Sequence, residues 1–117
     1  MEKQTELFGG TDIDMLPSFV ECLDKLPDIK SELKELRNIL WDNPSYGSHI
    51  SGGIHKIRMP ISSQNIGKSF GLRIITVVKS RQIRPKVYLL WVYWKTKTKD
   101  IPRSKLKEIA RNAGVID

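Results

Sequence analysis

Two runs of sequence decide the fold: Leu72-Arg73-Ile74-Ile75-Thr76-Val77-Val78-Lys79 and, after a short gap, Lys86-Val87-Tyr88-Leu89-Leu90-Trp91-Val92-Tyr93-Trp94. Both are dense in β-branched and aromatic residues; the first lies between Gly71 and Ser80 and the second opens after Pro85, which suits buried strands. The segment between them, Ser80 to Pro85, is short enough to join them as an antiparallel hairpin. Upstream, Ile54-His55-Lys56-Ile57-Arg58-Met59 reads as a third strand, separated from the second by Pro60 to Gly71. That separating stretch holds Ser62, Ser63, Asn65, Gly67 and Ser69, and reads as a flexible loop.

Outward from the strands the period changes. Phe19, Val20, Leu23, Leu26, Ile29, Leu33, Leu36, Ile39 and Leu40 recur at helical spacing. Pro17 and Pro27 suit first helical turns and Asn43-Pro44 is a stop, so the spacing predicts helices over about 17–26 and 28–42. Thr11 to Met15 reads as a short strand, Met1 to Gly10 as a poorly ordered lead-in, and Asn43 to Gly53 as turn-rich. Asp100 and Pro102 open a last helix over about 102–113, with Leu106, Ile109 and Ala110 inward and Gly114 as its end. The expectation is a single α+β domain over 11–117: two N-terminal helices packed on a small antiparallel sheet, with a C-terminal helix.

At 117 residues, with 39% hydrophobic and 28% charged side chains, the composition is that of one soluble domain. The longest apolar run, Val87 to Trp94, is far shorter than the roughly 20 residues a membrane span needs. Met1 to Gly10 has no apolar run of signal-peptide length, so the expected location is cytoplasmic. The lone Cys22 reads as a small buried thiol.

Charge is distributed unevenly. Residues 1–50 hold five Lys or Arg against ten Asp or Glu; residues 51–117 hold fifteen against three. A segment this cationic attracts polyanions through counterion release, and a nucleic-acid backbone is the commonest such partner inside a cell. Strand alternation puts Lys56 and Arg58 on one face, and antiparallel pairing brings Arg73 and Lys95 to the same side, reinforced by Lys68 and Lys97 on mobile segments. Such a cluster is self-repelling without an anion. The bland reading of the same residues is a solvated or edge-protecting face. Tyr93 and Trp94, of opposite parity, are candidate base-stacking aromatics, although strand aromatics are more often core. His55 has the opposite parity to Lys56 and Arg58, which sets it apart from the cluster, and His49 is a loop residue. One Cys and two His give no zinc pattern, and Asp100 and Glu108 are too few for a two-metal nuclease, so no metal and no cofactor are expected. Gly67-Lys68-Ser69 lacks the upstream glycine of a phosphate-binding loop, because position 62 is Ser62.

Three blocks, Gly53-Ile54-His55-Lys56-Ile57-Arg58, Gly67-Lys68-Ser69-Phe70-Gly71-Leu72-Arg73-Ile74-Ile75 and Val87-Tyr88-Leu89-Leu90-Trp91-Val92-Tyr93-Trp94-Lys95, occur in order. Together they resemble the HigB-like branch of the RelE/ParE toxin superfamily, over roughly residues 12–113. Phe70 stands where that branch usually has glycine, and no aromatic follows Trp94 to match the C-terminal tyrosine some members use. The resemblance implies the toxin of a type II toxin-antitoxin pair: a ribosome-dependent endoribonuclease that cuts messenger RNA in the ribosomal A site by attack of a 2′-OH on the adjacent phosphate. It implies phosphate-clamp and proton-transfer roles for Lys56 and Arg58, transition-state stabilisation for Arg73, and a leaving-group or phosphate contact for Lys95. It also implies a cognate antitoxin as partner, with an acidic segment wrapping the basic face. The other readings are a ParE-like inhibitor of DNA gyrase, a non-catalytic basic RNA-binding domain, or an inactivated relic of the toxin.

Overall fold

The computed structural model describes residues 10–80 and 84–117. The lead-in expected over 1–10 lies, except for Gly10, outside the described residues, as does the middle of the 80–85 connection. The chain runs β1 (Asp12–Met15), α1 (Pro17–Leu23), α2 (Lys30–Asp42), β2 (Ser48–Ser51), β3 (Ile54–Met59), β4 (Leu72–Lys79), β5 (Lys86–Trp94) and α3 (Arg103–Asn112). The described residues form an α+β fold with three helices and one five-stranded sheet of order β1-β5-β4-β3-β2.

Two features correct the expected antiparallel sheet. β1 joins β5 in parallel, Asp12 opposite Lys86 and Met15 opposite Leu89, so the sheet is mixed. Lys86 reaches across this pairing to Asp14 at 3.0 Å and Asp12 at 3.7 Å. The stretch expected to be turn-rich contributes β2, which adds to the β3 edge with His49 opposite His55. The helices are also shorter than expected. α1 ends at Leu23, and α2 begins at Lys30, leaving Pro27 in the connection rather than in a first turn.

Each sheet face carries an apolar layer. On one, α1 and α2 bury Phe19, Leu36 and Leu40 against Ile57, Leu72, Ile74 and Val92. On the other, α3 buries Leu106 and Ala110 against Ile54, Ile75, Val77 and Leu90. α3 closes as Gly114 takes a left-handed φ of 76°, letting the Val115 N–H donate to Ala110 O at 3.1 Å while Val115 buries beneath it. Asp100 does not cap this helix; Pro102 occupies the N-cap position, with no side-chain hydrogen bond.

A bulge in β5 sets which side chains meet which layer. Ile75 pairs with Trp91 but Thr76 pairs with Leu89, so Leu90 is an extra residue. Val87 and Leu89 therefore point to the α1/α2 side, whereas Trp91 and Tyr93, of the same sequence parity, face the α3 side with Ile75 and Arg73. The bulge carbonyl Leu90 O accepts the Ser18 hydroxyl of α1 at 2.7 Å, and Leu89 O accepts the Leu16 N–H at 3.1 Å.

Pro60 to Gly71, expected to be flexible, is compact. It folds into two 3-10 turns, Ser62–Gln64 and Lys68–Phe70, with Ile61 bridged to Ile66 and buried. Glu32, buried in α2, accepts the Ser62 N–H at 3.0 Å and ties the first turn to the helix. Leu40 is wholly buried at the α2–sheet contact, so Leu40→Ala should cost about 2–5 kcal/mol, read as a lowered urea midpoint with an unchanged m-value.

Candidate nucleic-acid interface

The cationic residues of the strands fall into ranks across the α3 side of the sheet. Arg58 of β3 stands opposite Arg73 of β4, which stands opposite Tyr93 of β5. One row inward, Lys56 stands opposite Ile75, which stands opposite Trp91. The layer under α3 is built on Ile54, Ile75, Val77 and Leu90, and the rank of Arg58, Arg73 and Tyr93 lies beyond it toward the end of the sheet. Arg58 is exposed and Lys56 half-buried; among the described residues neither has an ion-pair partner.

Asp100, in the segment before α3, organises the β5 end of this surface. Its two carboxylate oxygens accept the Tyr93 hydroxyl at 2.9 Å and the Lys95 ammonium at 3.1 Å. Burial works against its charge, but the hydrogen bonds from Lys95 and Tyr93 and the nearby charge of Lys56 outweigh it and hold the carboxyl below its usual range. Burial, and then the bond to Asp100, push the Tyr93 phenol up to about 12. Tyr93 is 4% exposed. It is a buried hydrogen-bond donor in this arrangement, and its ring does not stand as a platform for a base.

Arg73 is buried to the same degree, 4% exposed, and its guanidinium is largely occupied by backbone. Nη1 donates to Lys68 O at 2.7 Å and Leu72 O at 3.2 Å, and Nη2 donates to Ser69 O at 2.8 Å. Three of its five N–H donors are thereby used, and among the described residues Nε–H and one Nη2–H have no partner. The next carbonyl along, Phe70 O, accepts Trp94 Nε1–H at 3.0 Å and the Thr96 hydroxyl at 2.8 Å, and Gly71 O accepts the Lys95 N–H at 2.8 Å. A Cβ at Gly71 would lie 2.2 Å from Met59 O, so only glycine lets the loop approach the end of β3 this closely. The loop is gripped by Arg73 from the α3 side of the sheet and by Trp94 from the α1 side.

Lys56, Arg58, Arg73 and Lys95 thus share one face, and exposed Lys68 belongs to the loop at its end. Trp94 and Lys97 do not. Trp94 points to the α1 side, with the Lys97 ammonium 5.5 Å from its ring centroid, and both line a cleft of about 350 Å³ with Glu21, Cys22, Lys25 and Leu26. Burial pushes the Cys22 thiol up. His49 and His55 sit edge to face at 5.3 Å on the β2–β3 edge, away from the cations. Each donates a ring N–H to a turn carbonyl, Gly52 O at 2.6 Å and Gly53 O at 3.1 Å.

Two residues that the sequence reading did not select complete the picture. Asp100 carries a signal only as the one acid amid Lys95, Lys97 and Lys99. Phe70, 66% exposed, carries its signal as an aromatic in an otherwise polar glycine-bounded loop. Compared with models of known protein families and with curated protein sequences, the chain matches none.

The Tyr93–Asp100 contact has a measurable pH signature. The folded phenol holds its proton more tightly than the unfolded chain, whose value is near 10, so its stabilisation is complete below pH 10 and is lost as pH climbs toward about 12. In a phenolate absorbance titration, the difference between wild type and Tyr93→Phe should show this phenol still protonated at about pH 11, and Asp100→Asn should move its titration downward.

Proposed function

We propose that this chain is the toxin of a type II toxin-antitoxin pair of the RelE/ParE kind, with the RelE-like arrangement of helices on a sheet, acting as a metal-independent endoribonuclease on messenger RNA in the ribosomal A site. The observation that carries the reading is the rank of Arg58 beside Arg73, with Lys56 one row inward and Lys95 held at the β5 end by Asp100. Cations aligned this way on a sheet face, without paired acids at Lys56 and Arg58, suit a phosphodiester whose charge rises in the transition state.

The reaction is intramolecular within the RNA. The 2′-hydroxyl gives up its proton as its oxygen attacks the adjacent phosphorus, the bond to the 5′-oxygen breaks and that oxygen takes up a proton, and the products are a 2′,3′-cyclic phosphate and a 5′-hydroxyl. The protein's part is to align the backbone and stabilise the extra negative charge on the phosphoryl oxygens. Arg58, exposed, and Lys56 hold those oxygens; Arg73 adds its Nε–H and remaining Nη2–H. Lys95 keeps two N–H donors beyond the one directed at Asp100 and contacts the leaving side. Tyr93 moves no proton near neutrality, since its own proton is bonded to Asp100 and its phenol lies at about 12. The partners that go with this reading are the ribosome with its bound message and a cognate antitoxin; it requires no membrane and no small-molecule cofactor, and its setting is the cytoplasm.

One observation favours a second reading, a non-catalytic basic RNA-binding domain: Arg73, which the resemblance makes a transition-state stabiliser, spends most of its donors shaping a loop. Mapping of messenger RNA 5′ ends in a translating extract, with and without ribosomes, separates the two. Wild type should create new ends within codons only when ribosomes are present. Arg58→Ala and Lys56→Ala should each lower that cleavage about 100- to 1,000-fold. Arg58→Ala, at an exposed side chain, should leave stability within about 0.5 kcal/mol. Salt-sensitive RNA binding without cyclic-phosphate product would support the binding domain, and gyrase inhibition without RNA cleavage the ParE-like alternative.

A further inference from the structure

Phe70 presents a contradiction between backbone and side chain. Its backbone belongs to the most firmly anchored stretch of the interface: the carbonyls of Lys68, Ser69, Phe70 and Gly71 each accept a hydrogen bond from Arg73, Trp94, Thr96 or Lys95. Its ring nevertheless stands 66% exposed. Four consecutive carbonyls drawn in toward the sheet leave the side chains of the turn facing out, and the one large apolar side chain among them is an aromatic.

The surroundings narrow what such a ring can meet. Lys68, Ser69 and Thr96 beside it are exposed and polar, and among the described residues the other exposed large apolar side chains, Met15 and Val20, belong to β1 and α1. An anchor for a protein partner would be ringed by further apolar surface that excludes water, and a membrane anchor would be one of several. A lone ring among cations has a different complement, a flat apolar group attached to a phosphate. The Gly71 end of the loop packs on Met59 O and Pro60 at the end of β3, next to Arg58, so the Phe70 backbone adjoins the end of the cationic rank.

We propose that Phe70 is a preorganised stacking platform for an unpaired nucleobase of single-stranded RNA whose backbone lies along Lys56 and Arg58. This rests on the reading of the cationic face as an RNA interface. Because backbone hydrogen bonds already fix the loop, little ordering is left to oppose binding, and the stacking gain appears as affinity. A benzene ring offers no hydrogen-bonding groups, so it selects by stacking area, purines over pyrimidines, and it rejects duplex, whose bases are already stacked.

The test is fluorescence anisotropy of the full chain with a labelled single-stranded RNA oligonucleotide and with the same backbone made abasic, comparing wild type, Phe70→Ala, Phe70→Leu and Phe70→Trp, with Arg58→Ala as reference. Phe70→Ala should bind the single strand about 5- to 100-fold more weakly with an unchanged slope of log Kd on log salt. Phe70→Trp should restore affinity and Phe70→Leu should not, and on the abasic strand wild type and Phe70→Ala should be equal. A thermal midpoint common to all the variants would confirm that folding is unaffected. The proposal is overturned by equal affinity of wild type and Phe70→Ala for the single strand while Arg58→Ala loses binding, by rescue with leucine, or by an undiminished loss on the abasic strand. Failure of wild type to bind any RNA would instead overturn the RNA-interface reading, and this proposal with it.

Discussion

A guanidinium withdrawn from water must find acceptors for its N–H groups, and Arg73 sits in the central strand of the sheet at 4% exposure. Among the described residues, no side chain answers this need. The acceptors are carbonyls of the chain just before it, at Lys68, Ser69 and Leu72, so the loop has to curl back over the end of its own strand. That curl brings Phe70 O to Trp94 and Thr96, sets Gly71 against Met59 O, and leaves the turn's side chains outward. The shape of the loop, the placement of Lys68 and the exposure of Phe70 are consequences of burying one cation.

The β5 bulge is the second constraint, because it decides what shares a face with Arg73. Without the extra residue Leu90, strand alternation would carry Tyr93 and Lys95 to the side where Leu89 packs, and Asp100 would have nothing to bind. The bulge interrupts the ladder, and α1 supplies the compensation: the Ser18 hydroxyl takes Leu90 O, and the Leu16 N–H takes Leu89 O. A short helix on one face thus stabilises a register shift whose effect is felt on the other.

How much of this was legible in the chain follows from the range of the forces involved. β3, β4, β5 and the existence of the helices rest on local periodicity, and the structure has them close to where the pattern puts them. The grouping of Lys56, Arg58 and Arg73 is also local, since two-residue alternation and antiparallel pairing are enough to produce it. β2 is not legible, because Ser48–Ser51 is short, polar and partly exposed and becomes a strand only by pairing with β3. The parallel docking of β1 on β5, where Lys86 meets Asp12 and Asp14, joins segments separated by most of the chain, beyond the reach of local periodicity. The order of the 60–71 loop comes from Glu32 and Arg73, which reach into it from a helix and a strand, so its polar composition alone suggested flexibility. Tyr93 passed for a stacking ring because parity cannot say that Asp100 will meet its hydroxyl.

Asp100 explains how so many cations stand together before any substrate arrives. Its carboxylate, kept charged by Lys95, Tyr93 and Lys56 despite partial burial, offsets the repulsion at one end of the rank and pins Lys95 in place. At the other end, Arg58 has no ion-pair partner among the described residues, and Lys56 feels the charge of Asp100 without an ion-pair contact to it. The surface is therefore graded, neutralised at β5 and uncompensated at β3. An arriving phosphate gains most where it displaces no carboxylate, so the field directs it to Arg58 rather than to Lys95. Lys95, already oriented by Asp100, is then positioned for whatever charge develops on the far side of that phosphate, at little reorganisation cost.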